Sequence, residues 1–309
     1  MVIARNGLTL CLRNRWMQYV VMLCWMASLV MAVFLFLVGQ LLVADSIVVQ
    51  WVGNFNPQLQ MFASLLTTWL EQHPEISVRT TQNLLFYYFS SYLLLASIFA
   101  LGMAIPLMIT RDLASNAIVI YSSKAVSRMD YLIGKFGMAF GLLTLTLLGP
   151  ACAAWFVGNL LAPDWRFFWH SRSALGNTLV FSLTSMALLS ILALGVSAIS
   201  RREKATPAFW YIWWIIGGVV APIAMHTRPW LRHLSFHYNL EQISLGIFRL
   251  GNDIAIARDN IPVFGDMLRN IPPQTMEGLN SPAVPGAIAA SLVMLVVAAL
   301  VIRNRVKPE

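Results

Sequence analysis

The chain has 309 residues, of which 58% are hydrophobic and 11% charged, with a formal net charge of +8. A soluble domain carries about a quarter of its residues as Asp, Glu, Lys and Arg. This composition, with a mean hydropathy of +0.69, therefore excludes a soluble fold and predicts an integral membrane protein.

Residues 1–16, MVIARNGLTLCLRNRW, interleave apolar and basic side chains. That pattern predicts a helix lying on the membrane surface ahead of the first span, with a disordered basic tail as the alternative reading. Six tracts without Asp, Glu, Lys or Arg follow: 17–44, 83–110, 136–162, 173–199, 205–226 and 282–302. About 20 apolar residues suffice to cross the hydrocarbon as a helix. The continuous apolar runs lack the alternation of barrel strands. The predicted fold class is all-α: a polytopic membrane protein of six transmembrane helices, forming a single six-span domain over 1–309. The first tract is too long for the core of a secretory signal and reads as a retained span. Pro106 and the Gly149-Pro150 pair predict kinks in the second and third spans.

With six spans, both termini share a side with the loops at 111–135 and 200–204. That side carries 13 Lys and Arg against four acids, and the other side carries eight against nine. The positive-inside rule then puts both termini in the cytoplasm and predicts a multi-pass protein of the bacterial inner membrane. The +8 is explained by topology, and no nucleic-acid partner is expected. Trp16, Trp51, Trp69, Trp165, Trp169 and Trp230 fall near the expected interfaces.

Two sizeable segments, 45–82 and 227–281, are expected outside, with the short aromatic stretch PDWRFFWHSR. Within 227–281, Phe236, Leu240, Ile243 and Ile247 recur with helical period and predict an amphipathic helix. His233, His237 and Glu241 fall on one face of such a helix. They read either as a partial metal-ligand set or as its wet face.

Much chemistry is missing. No tract contains an ionisable side chain apart from His226 at the end of the fifth, which disfavours an ion-coupled carrier. No nucleophile elbow, no paired zinc histidines and no phosphate-binding G-x-x-x-x-G-K-[ST] occur. No catalytic residue, metal or cofactor is assigned to this chain, and it is not expected to be an enzyme. Cys11, Cys24 and Cys152 give no disulfide framework and read as packing residues.

The charged loop at 111–135, RDLASNAIVIYSSKAVSRMDYLIGK, stands out against this background. Leu113, Ala117, Ile118, Ile120 and Tyr121 suggest a short amphipathic helix. Ser127 and Asp130 have the spacing of a capping box that opens the next helix. Lys135 reads as a headgroup anchor. The loop is either a structured knob or an ordinary solvated connection.

Two stretches resemble the membrane-spanning subunits of type-2 ATP-binding-cassette exporters, in particular the nitrous-oxide-reductase maturation and gliding-motility permeases. One is LTLCLRNRW at 8–16. The other runs from Asp112 to Phe136, where Asp112, Ser123, Val126, Ser127, Arg128, Tyr131, Leu132, Gly134, Lys135 and Phe136 match the family pattern. Asn116, Ala117 and Ala125 replace its glycine, threonine and proline. The resemblance implies that 111–135 is a coupling helix docked on a separate cytoplasmic ATP-binding subunit, with ATP and Mg on that partner. It implies contact through Asp112, Asn116, Tyr121, Lys124 and Arg128, with Ser127 and Asp130 as the local cap. It also implies a second copy of this permease or a related one. Membrane lipid is expected around the spans, and ATP-driven mechanical work on an extracytoplasmic partner through 45–82 and 227–281 is a further reading. A polytopic scaffold without transport is the alternative, and an ion-coupled secondary carrier a more distant one.

Overall fold

The charge-free tracts fold as helices. The structure, a computed structural model, describes residues 2–41, 74–117, 127–162, 165–260, 278–279 and 282–306, with no strand among them. Helix α1 is Val2–Leu12 and α2 is Arg15–Leu41. Helix α3, Pro74–Ile105, runs through a π-helical turn at Pro106–Thr110 into the short α4, Arg111–Ala114. Helix α5, Arg128–Leu143, likewise passes through a π turn at Thr144–Leu148 into α6, Gly149–Leu160. Then come α7, Arg166–Ile199, and α8, Ala205–Thr227. A 3-10 turn at Pro229–Leu234 leads to α9, Phe236–Phe248, then α10, Leu250–Asn260, and α11, Val284–Arg305.

Among the described residues, five helical stretches are long and apolar enough to cross a membrane: Arg15–Gln40, Val78–Ala114, Arg128–Leu160, Phe167–Ile199 and Val284–Arg305. The tract at 205–226 is helical as well, in the 23 residues of α8. The second and fourth stretches form the centre, with 72% and 67% of their most apolar window buried, against 28% and 22% for the first and last. Exposed apolar side chains such as Met22, Leu29 and Val30 on α2, and Val293 and Val296 on α11, give those helices surfaces suited to lipid.

The central packing of α3 on α7 uses small polar side chains. Ser90, Ser97, Ser182, Ser185, Ser190 and Ser197 are all fully buried. Lipid tails would provide no hydrophobic drive for association of helices this apolar, and close backbone approach through small residues with interhelical hydrogen bonds is what holds helices together in such a setting. Gly195 of α7 shows how close the approach is: a Cβ there would lie 2.7 Å from Ala298 Cβ of α11.

The two expected kinks take a definite form. Pro106 carries no N–H, and the helix responds by shifting register, so that the Arg111 N–H donates to the Pro106 carbonyl five residues back. Ser197 of α7 enters the gap. Its Oγ accepts from Ile109 N at 2.8 Å and Thr110 N at 3.0 Å, and donates to Ile105 O at 2.8 Å. Around Pro150 the second π turn is supported from neighbouring helices. Trp25 Nε1 donates to Leu145 O at 3.1 Å and Ser28 Oγ to Pro150 O at 2.8 Å, while the Ser97 and Thr146 hydroxyls meet at 2.8 Å.

Two boundaries differ from the sequence reading. Helix α3 starts at Pro74, inside the segment 45–82, because Val78 is buried and Thr80, Gln82 and Asn83 find buried sites at the end of the bundle. Among its described residues, segment 227–281 contributes α9 and α10, and α10 packs on the start of α3. Phe236, Leu240 and Ile243 form the buried face of α9, as their period predicts.

Candidate functional site: the Asp112–Lys135 corner

The loop at 111–135 is built from both its flanks. On the first, α4 ends at Ser115 and the chain turns at Asn116, whose φ of 53° lies in the left-handed region. Among L residues, asparagine enters this region most readily. Asn116→Gly is expected to match or exceed the parent in thermal stability. Asn116→Val should cost about 1–2 kcal/mol, measured as a lowered unfolding midpoint in detergent.

On the second flank, Ser127 is extended (φ −66°, ψ 150°) and its Oγ accepts from Asp130 N at 3.1 Å. The same hydroxyl donates to Asp130 Oδ2 at 2.5 Å. The carboxylate sits in the first turn of α5, where the helix dipole favours it. Ser127 and Asp130 thus cap the helix as their spacing implies.

Lys135 departs from expectation. It is 7% exposed and does not reach for headgroups. Its Nζ lies 2.7 Å from Asp112 Oδ2 and donates to Leu107 O at 3.2 Å. Tyr131, one turn earlier on the same face of α5, donates its hydroxyl to that same Asp112 oxygen at 2.7 Å. The tracts themselves hold no acid or base, but the helices continue past them and pair the charges at their ends. A buried carboxylate or ammonium is tolerable only when paired and hydrogen-bonded, and this one is both.

Asp112 therefore turns inward, while Arg111, Ser115 and Asn116 stay exposed beside it. Arg128 is also engaged. Its Nη2 donates to Arg303 O at 2.7 Å and Ile302 O at 3.3 Å, placing a cation on carbonyls in the last turn of α11. Tyr121 and Lys124 lie outside the described residues. Helix α1 braces the corner from the side. A Cβ on Gly134 would lie 2.8 Å from Ile3 Cβ, so only glycine admits this contact without a shift. Cys11 of α1 is buried nearby, and burial pushes its thiol up to about 11 against a smaller pull from Lys135. It packs as an inert side chain.

Sequence reasoning missed Tyr131 and Lys135 as site members. Their signal was a Tyr and a Lys four apart just after a capping box, facing an acid at the end of the preceding helix.

The His233, His237 and Glu241 face does not form. Ser235 interrupts it as the N-cap of α9, its Oγ accepting from Tyr238 N at 3.2 Å, so His233 falls in the preceding 3-10 turn. His233 Nδ1 meets Asn239 Oδ1 at 2.8 Å instead, and Asn239 Nδ2 donates back to His233 O at 2.8 Å. Among the described residues no group of His, Cys, Asp and Glu could hold a metal ion.

At the corner an ion pair joins α4 to α5, Arg128 joins α5 to carbonyls of α11, and α1 packs against Gly134. No family model matches the chain, and no curated protein matches it in sequence.

Proposed function

We propose that this chain is the membrane-spanning subunit of an ATP-driven exporter of the type-2 ATP-binding-cassette class. Six spans, including α8, form half of a permease whose other half is a second copy or a related chain. Both termini and the Asp112–Lys135 corner face the cytoplasm of a bacterial cell, and the corner docks on a separate ATP-binding subunit that holds ATP and Mg.

One observation carries the reading. An exposed turn at Ser115 and Asn116 follows directly on α4, which continues α3 and is tied to α5 by the Asp112–Lys135 pair, while Arg128 ties the start of α5 to the final helix α11. A partner that moves this turn would move both helices, as rigid-body rocking of a bundle requires. The π turn at Pro106–Thr110, directly above, is a register defect of the kind found at functional joints.

Within this proposal the contact surface is Arg111, Ser115 and Asn116, with Tyr121 and Lys124 as further contacts. Asp112 and Arg128 act by positioning that surface, as do Ser127 and Asp130. The test is affinity purification of the full-length chain from its native host, followed by identification of co-eluting proteins and assay of Mg-dependent ATP hydrolysis. The expected result is a stoichiometric ATP-binding protein, with co-elution reduced at least tenfold by Ser115→Trp. A stable assembly with no nucleotide-binding protein would favour a scaffold. Transport driven by a proton or sodium gradient without ATP would favour a carrier. Either outcome overturns the proposal.

A further inference from the structure

At the opposite end of α3 from Asp112, a separate polar cleft opens between the starts of α3 and α7. Arg79 and Asp112 sit on one helical path, about 50 Å apart at 1.5 Å per residue. The cleft encloses about 360 Å³ and is lined by Arg79 and Thr80 of α3, His170, Arg172 and Ser173 of α7, and Asp253 of α10. In a chain so poor in charge, two arginines, both exposed to solvent, line this one cavity.

Neither guanidinium makes an ion pair or hydrogen bond with a described residue. Arg172 instead lies 4.2 Å from the centre of the Trp169 ring, a cation–π contact that fixes its position without using its N–H donors. Ser173 Oγ is buried and has no hydrogen-bond partner among the described residues. A buried hydroxyl left unpaired is costly unless a ligand or water completes it.

The one carboxylate in the cleft wall does not neutralise the arginines fully. Asp253 is 4% exposed and accepts a short hydrogen bond from Asn83 Nδ2. Asn83 in turn donates to Phe248 O at 2.5 Å and accepts from Asn177 Nδ2 at 2.9 Å, so a buried amide network holds the acid in place. Burial pushes the Asp253 carboxyl up from its ordinary value, with the Asn83 hydrogen bond and the Arg79 charge pulling the other way. The cleft therefore keeps a positive balance, before any contribution from the N-terminal ends of α3 and α7.

We infer that this cleft binds a phosphate-bearing anion, clamped between the Arg79 and Arg172 guanidiniums, with the Ser173 hydroxyl donating a further hydrogen bond. Guanidiniums match phosphate oxygens with paired N–H donors. The volume sits at the small end of ligand cavities, roughly 300–1,000 Å³, which suits a headgroup or a small phosphate compound. Trp169 lines the cleft and is 58% exposed, as rings at a membrane boundary are. The same phosphate chemistry could come from a lipid headgroup or from a soluble anion. The inference stands independently of any ATP-binding partner.

The test uses the purified full-length chain in a non-ionic detergent, titrated with dioctanoyl phosphatidic acid and, separately, with inorganic phosphate, and read by thermal stabilisation. Phosphatidic acid is expected to raise the unfolding midpoint, and dioctanoylglycerol, which lacks the phosphate, is expected not to. Arg79→Ala/Arg172→Ala should weaken that response at least tenfold, while Arg201→Ala/Arg202→Ala, at exposed positions near the other end, should leave it unchanged. Should the double variant fold poorly, Arg172→Glu alone provides the same comparison. Competition by inorganic phosphate would identify a soluble phosphate as the ligand, and its absence a lipid headgroup. The inference is overturned if the cleft variants bind as the parent does, if dioctanoylglycerol stabilises equally, or if neither phosphate probe binds.

Discussion

Asp112→Ala is expected to cost about 3–5 kcal/mol of stability, because it strands an ammonium in a site built for a pair. Lys135 is 7% exposed, and its side chain lies among α1, α4 and α5 with the Leu107 carbonyl as its remaining acceptor. Lys135→Met removes the opposite member and strands the carboxylate, so a loss of similar size should follow. The informative variant is the triple replacement Asp112→Leu/Tyr131→Phe/Lys135→Met. It removes the acid, the base and the hydroxyl that shares the same oxygen together, so neither charge is left without its counter-charge. Buried ion pairs replaced in full by apolar side chains are often neutral or stabilising, so the triple variant should unfold near the parent. Thermal unfolding in a fixed detergent measures all three. If Asp112→Ala alone is neutral, the pair is not buried as described. The triple variant would keep the fold and yet lose the tie between α4 and α5, which separates the role of the pair in coupling from its role in stability.

Ser197→Ala should cost about 2–4 kcal/mol, given roughly 1–3 kcal/mol for each buried polar group left unsatisfied. The hydroxyl serves two N–H groups and one carbonyl of the π turn, and no other single side-chain oxygen described in the bundle does as much. Thr110 Oγ1 adds a reciprocal link, donating to Ser197 O at 2.7 Å. Thr110→Val should therefore cost about 1 kcal/mol alone and less in the Ser197→Ala background, since residues in one hydrogen-bond network are not additive. Additive losses would show that the π turn relaxes to an ordinary helix when the serine is removed.

These two sites show where the sequence was legible and where it was not. The tracts declared themselves, because a run of apolar residues long enough to cross the hydrocarbon has few alternatives. The cap at Ser127 and Asp130 was legible because it is local, as was the tolerance of Asn116 for a left-handed turn. Pro106 announced a defect but not its form: the shift to a π turn depends on Ser197, which is distant in the chain and unremarkable in its own helix. The Asp112–Lys135 pair was hidden because each residue borders a tract and looks like an ordinary interfacial charge. Only the packing of α5 against the end of α3 brings them together. Arg128 misled in the same way, since a basic residue in a charged loop gives no sign that it will find the last carbonyls of α11. The histidine face failed for a local reason that was available in advance. A serine between two hydrophobic residues can start a helix, and a helix that starts at Phe236 cannot include His233.

The central claim is that the turn beside Asp112 faces the cytoplasm and is held there by a nucleotide-binding partner. The most direct measurement places a photo-crosslinking residue at Ser115, an exposed position whose side chain supports none of the ties at the corner, and irradiates intact native membranes. The account expects one dominant adduct, with an ATP-binding protein, formed only from the cytoplasmic side. Adducts with lipid alone, or with a protein on the outer face, would contradict it.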